Sequence, residues 1–160
     1  MVQFAGFWIR VGAYLIDAIL LAIFIYLFQS LTGINMGASY SANMGDLSAA
    51  GGEDVASPLG SVISFLIYLV YFAGLESSAW QATVGKKALG LIVVDTSGNR
   101  ISFLRALGRF FGRLLSAIIL MIGYIMVAFT EKKQGLHDKL ASTYVLKGQP
   151  GEYSTAGVFE

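Results

Sequence analysis

The residue in this sequence best placed to do chemistry is Asp17, which lies inside the apolar run GFWIRVGAYLIDAILLAIFIYLF. Arg10 precedes it by seven residues, and no other charge occurs between Arg10 and Asp46. A carboxylate in membrane hydrocarbon costs about 2.5–3.5 kcal/mol, so such a residue usually has a function. Because burial raises the pKa of a carboxylate and a nearby guanidinium lowers it, a proton or cation site and a structural ion pair are both open.

Asp17 needs a partner from another segment, because Arg10 shares its helix face but lies about 10 Å away along the axis. The candidates are a basic helix face (Arg105, Arg109, Arg113) and a polar stripe on the second apolar segment (Ser57, Ser61, Ser64, Tyr68, Tyr71). The basic spacing predicts an amphipathic helix for the membrane interface or for a shielded polar contact. The polar stripe predicts either packing between membrane helices or a polar lining opposite Asp17.

Catalysis has no positive support in the sequence. His137 and Asp138 are adjacent, so they do not face each other on a helix, and we expect Asp138 to cap or pair locally or to fix Arg109. The absence of cysteine excludes disulfides and thiolate metal sites, and a single histidine excludes a histidine-rich one. No nucleophile elbow, zinc motif or Gly-rich phosphate loop is present. We therefore predict no enzymatic activity, no cofactor, no metal and no nucleic-acid partner.

The elements that must position these residues are membrane helices. The chain is 56% hydrophobic and 13% charged, whereas soluble domains have roughly a quarter charged residues. The run 11–31 is long enough to cross a bilayer, and Asp17 within it argues against a signal peptide. A second run, 58–75, begins after Ser57 and Pro58, which are typical of a helix N-cap and first turn.

The distribution of charge predicts the topology. All eleven lysines and arginines lie outside residues 31–58, a stretch that carries only Asp46, Glu53 and Asp54. Because positive charge favours the cytoplasmic side, segment 32–57 is expected to be extracytoplasmic and both termini cytoplasmic. The expected location is the bacterial cytoplasmic (inner) membrane, with the lipid bilayer as a partner.

The remaining segments predict smaller elements. Residues 76–103 contain β-prone segments at 89–95 and 99–103 around Thr96, Ser97 and Gly98, which indicates a cytoplasmic hairpin. Residues 104–129 are amphipathic and then apolar, which fits an interfacial helix followed by a re-entrant segment, or a third span. Residues 134–147 predict a short helix and a strand, and 148–160 a flexible tail. The expected fold is an α-helical integral membrane protein, with 1–147 as one domain.

Three stretches resemble the RDD family of small bacterial membrane proteins: GFWIRVGAYLIDAILL, WQATVGKKALGLIVVDTSGNRISFLRALGR and KKQGLHDKLASTYVLK. The family is named for an arginine and two aspartates, which Arg10, Asp17 and Asp138 match. Further matching positions are Gly85, Lys86, Gly90, Arg109, His137 and Thr143. The resemblance covers residues 7–146, and the chain departs from the family pattern in its Gly/Ala/Ser-rich outer loop and in its tail.

The resemblance implies a function that the residues alone do not. Some RDD proteins are credited with antiport of sodium or other monovalent cations against protons, which would make Asp17 and Asp138 candidate ion or proton ligands and Arg10 their charge partner. Lys86, Arg109 and His137 would complete the charged cluster. An ion path through the membrane could hardly be enclosed by so few helices, so antiport would require a homo-oligomer. The alternatives are a non-transporting accessory or assembly subunit with a membrane partner protein, and lipid head-group recognition by the basic helix.

Overall fold

The computed structural model describes residues 3–36, 56–118, 127, 129, 130 and 132–152 of the 160-residue chain. Two helices in these ranges are long and apolar enough to cross a membrane. The first is α1, Phe7–Thr32. The second runs over Pro58–Ser77 and consists of α2 (Pro58–Leu69), a π-helical turn (Val70–Gly74) and α3 (Leu75–Ser77). The chain thus has the expected fold class of a helical membrane protein in its coarse form.

The chain forms two compact units. One unit contains Ala18–Tyr68, and its helices expose large apolar side chains such as Ile19 and Leu59. Within this unit the Ser57 hydroxyl caps α2 by accepting a hydrogen bond from the Gly60 amide at 3.0 Å. Residues 37–55, which make up most of the predicted extracytoplasmic loop, lie outside the described ranges.

The other unit, Met1–Asp17 with Leu69–Glu160, contains a two-stranded sheet. Strands β1 (Leu91–Asp95) and β2 (Thr143–Lys147) pair antiparallel, with Val93 opposite Val145. The first four residues of each strand are buried, so both faces of the sheet are covered. The N-terminal segment adds to the sheet because the Ala5 amide donates to the Val145 carbonyl at 2.9 Å.

The predicted hairpin is wrong in its pairing. The turn after β1 exists, since Asp95 Oδ1 accepts from the amides of Ser97 and Asn99 at 2.8 and 2.9 Å. The returning segment, however, makes only an isolated bridge between Arg100 and Val94. The partner of β1 is β2, about fifty residues further along the chain, because the returning segment passes into α5 at Phe103 before it can form a strand.

Three short or amphipathic helices in this unit have described bounds: α4 (Val84–Ala88), α5 (Phe103–Ile118) and α6 (Leu136–Leu140). Gly112 of α5 is the contact point with α6, since a Cβ atom there would lie 3.0 Å from the His137 Cα. Residues 119–126 lie outside the described ranges. The predicted re-entrant segment or third span depends on these residues and stays a prediction. The predicted tail is described only as far as Glu152.

Candidate functional site: a buried ion-pair network and a separate aspartate

Two buried carboxylates, Asp138 and Glu76, are the centres of an ion-pair network in the sheet-containing unit. Asp138 Oδ2 accepts from Arg10 Nη1 at 2.5 Å and from the Gly135 amide at 3.1 Å, while Oδ1 accepts from Arg109 Nη1. Asp138 is fully buried and Arg10 almost so. This arrangement joins the first turn of α1 to the start of α6, so Asp138 both caps α6 and holds two guanidinium groups.

Glu76 is bonded by three basic side chains. Its Oε1 accepts from Lys86 Nζ and Arg113 Nη2, and its Oε2 accepts from Arg109 Nε at 3.0 Å. Glu76 is fully buried near the end of the second apolar helix. A buried carboxylate is tolerated only when such partners offset the loss of hydration. Glu76 was missed in the sequence, although it is the first charge after the second apolar run and precedes an excess of basic residues.

Arg109 connects the two halves of the network. Its guanidinium contacts both carboxylates and also the Thr143 hydroxyl at the start of β2. Burial alone would raise the pKa of Asp138, but Arg109 and Arg10 outweigh burial and hold that pKa well below its usual range. Asp138 is therefore a permanent anion at physiological pH. Burial, reinforced by Arg113 and Arg109, lowers the pKa of Lys86 to about 7.

The basic face of α5 does not form an exposed interface. Arg109 is fully buried and Arg113 nearly so, and only Arg105 is exposed, where it pairs with Asp95 at 3.4 Å. The spacing correctly indicates that these three arginines follow one side of a helix. Of the two predicted alternatives, the shielded polar contact is confirmed for Arg109 and Arg113. The expectation that Arg109 and Arg113 themselves face the membrane interface is wrong, because Glu76 and Asp138 draw their guanidinium groups inward.

Asp17 lies outside this network and has neutral partners. Its Oδ1 accepts from the Tyr71 hydroxyl at 2.6 Å and from the Gly85 amide at 2.7 Å, and its Oδ2 accepts from the Thr83 hydroxyl at 2.6 Å. Thr83 is the N-cap residue of α4, and Gly85 lies in its first turn. Asp17 therefore anchors the N-terminus of α4 to α1, where a negative charge is favoured by the helix dipole. No arginine in the described ranges hydrogen-bonds to Asp17.

The predicted polar stripe supplies one of these bonds, through its last member. The hydroxyl that reaches Asp17 belongs to Tyr71, one helical turn beyond Tyr68. Ser64 instead donates to the Met36 carbonyl at 3.4 Å, and Ser61 and Tyr68 are exposed. The stripe lies on one helix, and its member that bonds to Asp17 is the last one, in the π-helical turn.

Gly85 is needed where α4 meets α1. A Cβ atom at this position would lie 2.2 Å from the Ala13 carbonyl oxygen and 2.9 Å from Asp17 Cγ. Contacts this short do not occur in proteins, so only glycine lets the α4 backbone reach the carboxylate. The Gly85 and Lys86 positions thus have a structural explanation in the two carboxylates they contact.

His137 is buried beside Asp138, with Nε2 3.4 Å from Oδ1. Burial lowers its pKa to about 3, with Arg109 adding to the effect and Asp138 opposing it. The side chain is therefore neutral at physiological pH. Among residues 3–36, 56–118 and 132–152, no group of three histidine, aspartate or glutamate side chains is arranged to hold a metal ion.

We expect the single histidine to titrate far below its usual range. Because folding lowers its pKa, the stability that depends on neutral His137 is complete above about pH 6.5 and is lost as pH falls toward about 3. Spectra of the chain labelled with 13C-histidine should show an unprotonated ring at pH 5. The urea-unfolded chain is the control and should titrate near pH 6.5. A folded-state midpoint near 6.5 would contradict the burial of this ring.

Comparisons with known proteins agree with the residue pattern. The model of the RDD family matches residues 4–142. Similar proteins of Bacillus subtilis (strain 168) include the uncharacterized protein YxaI, 38% identical over 89% of this chain and 96% of its own length, and the uncharacterized membrane protein YteJ, 31% identical over 89% and 80%. The uncharacterized protein YckC is 29% identical over 92% of this chain and 87% of its own. No solved structure matches.

Proposed function

The chain belongs to the RDD family, and from that premise we propose that it is a non-enzymatic accessory or assembly component of the bacterial cytoplasmic membrane. In this proposal the ion-pair network is structural. The observation that carries it is the number of bonds to both network carboxylates: Asp138 is bonded by two guanidinium groups, and Glu76 by two guanidinium groups and the Lys86 amino group. A proton carrier must gain and lose its proton near physiological pH, and the pKa of Asp138 lies well below that range.

The proposal gives the network a mechanical role. Asp138 bonds to Arg10 of α1 and to Arg109 of α5. Arg109 in turn bonds to Thr143 of β2. Such a network fixes the relative orientation of these elements, because every member loses its partner if one element moves. The rigid unit would present its surface to a membrane partner protein or to a second copy of the chain.

A second candidate function is antiport of a monovalent cation against a proton, and Asp17 is the observation that favours it. Asp17 is fully buried in a helix long enough to span a membrane, and its hydrogen-bond donors are two hydroxyls and an amide. A buried carboxylate without a cationic partner attracts a cation, and hydroxyl oxygens are suitable ligands for a hard cation. This function would require a homo-oligomer.

Flux through proteoliposomes tests both functions. Purified chain is reconstituted with an imposed pH gradient, and sodium, lithium or potassium is then added outside. The structural proposal expects dissipation no faster than in protein-free vesicles. Cation-dependent dissipation that disappears in Asp17→Asn and persists in Asp95→Asn would overturn it and support antiport, since Asp95 is an acidic residue outside both apolar helices.

We expect Asp17→Asn to remain folded, which makes that flux comparison clean. The amide oxygen can accept from Tyr71 and Gly85, and the amide nitrogen can donate to the Thr83 hydroxyl, so each partner keeps a bond. The expected loss of unfolding free energy is about 1–2 kcal/mol, because the bonds become neutral. Asp17→Leu should lose more than about 3 kcal/mol, because it leaves the donors unpaired. Sodium dodecyl sulfate titration from mixed micelles measures both values.

The orientation proposed from the charge distribution has its own test. Both termini are proposed to be cytoplasmic, because basic residues flank the apolar helices on those sides. A reporter that is active only in the cytoplasm, fused after Lys147, should be active. Activity of an alkaline phosphatase fusion at the same position would instead refute the topology.

A further inference from the structure

Helix α5 has an unusual distribution of side chains, with its charged face inward and its apolar face outward. The buried side contains Arg109 and Arg113, both bonded to Glu76. The opposite side is defined here as the apolar face of α5: Phe103, Leu104, Phe111, Leu114 and Leu115, with exposed fractions of 53, 76, 50, 43 and 43%. At 100° per residue these five positions fall within one third of the helix circumference. A soluble surface rarely exposes so many large apolar side chains together.

The ion pairs fix the position of α5 along the two apolar helices. Arg109 shares Asp138 with Arg10, which lies in the first turn of α1. Arg109 also binds Glu76, the penultimate residue of the second apolar helix. The middle of α5 therefore lies level with the ends of both candidate spans. Arg113, one turn further, also binds Glu76, so α5 stays near that level over this turn.

The two tryptophans of the chain mark the same level. Trp8 is the second residue of α1 and is 80% exposed. Trp80 follows the second apolar helix by three residues, is 45% exposed, and has Lys87 Nζ 3.6 Å from its ring centre. Exposed tryptophan, particularly beside lysine, is characteristic of the boundary between hydrocarbon and water. The ends of the apolar helices thus carry the residues expected at a membrane interface.

We propose that α5 lies along the membrane interface with its apolar face in contact with lipid acyl chains and with Arg109 and Arg113 turned into the protein. We assign lipid to this face for two reasons. The face lies at the same level as the ends of two helices that are suited to hydrocarbon, and it contains no charged residue. The usual interfacial helix directs its basic residues to water and head groups. Here Glu76 and Asp138 replace water as the partners of Arg109 and Arg113. Attachment of α5 to the membrane therefore depends on its apolar side chains.

Spin labels at single cysteines test this proposal, and the natural chain contains no cysteine to interfere. Labels replace Leu104, Phe111 and Leu115, with Ser97 as the exposed polar reference and Ile19, near the middle of α1, as the reference for hydrocarbon. The protein is reconstituted into vesicles of phosphatidylethanolamine and phosphatidylglycerol. Collision rates with oxygen and with a water-soluble nickel chelate are then measured for each label.

The expected result is a nickel collision rate several-fold below that of Ser97 at all three α5 positions, with oxygen accessibility retained and a similar depth for each. Nickel accessibility equal to that of Ser97 would overturn the proposal, because the face would then be in water. Depth that increases steadily from position 104 to position 115 and approaches that of Ile19 would also overturn it, in favour of a spanning helix. Protection from both reagents would overturn it too, because protein rather than lipid would then cover the face.

Discussion

Asp138→Asn is expected to destabilise the chain by about 3–5 kcal/mol, the cost of breaking a buried ion pair by removing one partner. The substitution preserves the volume of the side chain but leaves Arg10 and Arg109 without the anion that both contact. One amide oxygen can accept from only part of this donor set, and the amide nitrogen is repelled by the other guanidinium. Unfolding of the chain by sodium dodecyl sulfate in mixed micelles measures the difference.

Asp95→Asn is the matched control, because it removes an aspartate that pairs with an arginine at the surface. Its partner Arg105 has a side chain 45% exposed, and surface pairs contribute at most about 1 kcal/mol. Asparagine at position 95 also keeps the oxygen that accepts from the Ser97 and Asn99 amides. If both variants lost the same small amount, the network would not be the structural element proposed above.

The three residues that match the letters of the family name occupy two different sites. Arg10, Asp17 and Asp138 are not one cluster: Arg10 and Asp138 bond to each other, while Asp17 bonds to the first turn of α4. Both sites connect α1 to segments from the later part of the chain. Arg10 also donates to the Ala5 carbonyl at 3.0 Å and to the Lys133 carbonyl at 2.6 Å. The three residues therefore act at two separate attachments of the same helix.

The sequence predicted elements better than contacts, and α5 shows why. Spacing of Arg105, Arg109 and Arg113 correctly predicted a helix with these residues along one side. Periodicity identifies residues that share a face, but which face is covered depends on segments elsewhere in the chain. Here Glu76 and Asp138, 33 and 29 residues from Arg109, decide that the basic face is inside. Local pattern contains no information on those partners.

The sheet and Asp17 show the same limit. The residues at 143–147 predict a strand correctly, but the sequence pairs β1 with the adjacent segment because short-range pairing is the commoner case. Asp17 was recognised from its cost in an apolar helix, yet its partners Tyr71 and Thr83 are 54 and 66 residues away. Only the family resemblance singled out Gly85, and the reason for a glycine there appears only when α4 is placed against α1.

Gly85→Ala is expected to destabilise the chain by at least about 3 kcal/mol. Overpacking costs about 1–3 kcal/mol where neighbours can adjust, but the nearest atom here is the Ala13 carbonyl oxygen of α1, at 2.2 Å from the added Cβ. Helix backbone cannot move aside as a flexible side chain does, so α4 must withdraw and the Gly85 amide must lose its bond to Asp17. A cap interaction contributes about another 1 kcal/mol. Titration with sodium dodecyl sulfate measures the loss.

Two other glycines turn this prediction into a ranked series. Gly108, in the middle of α5, has no atom within 4 Å of the position that an added methyl group would occupy, so Gly108→Ala should stabilise the chain by up to about 1 kcal/mol through helix propensity. Gly112→Ala should fall between the two, because its nearest neighbour is the His137 Cα at 3.0 Å. The three substitutions add the same methyl group, so the space available at each position is the main source of their order. Equal effects at positions 85 and 108 would mean that α4 does not approach α1 as closely as the Asp17 hydrogen bonds require.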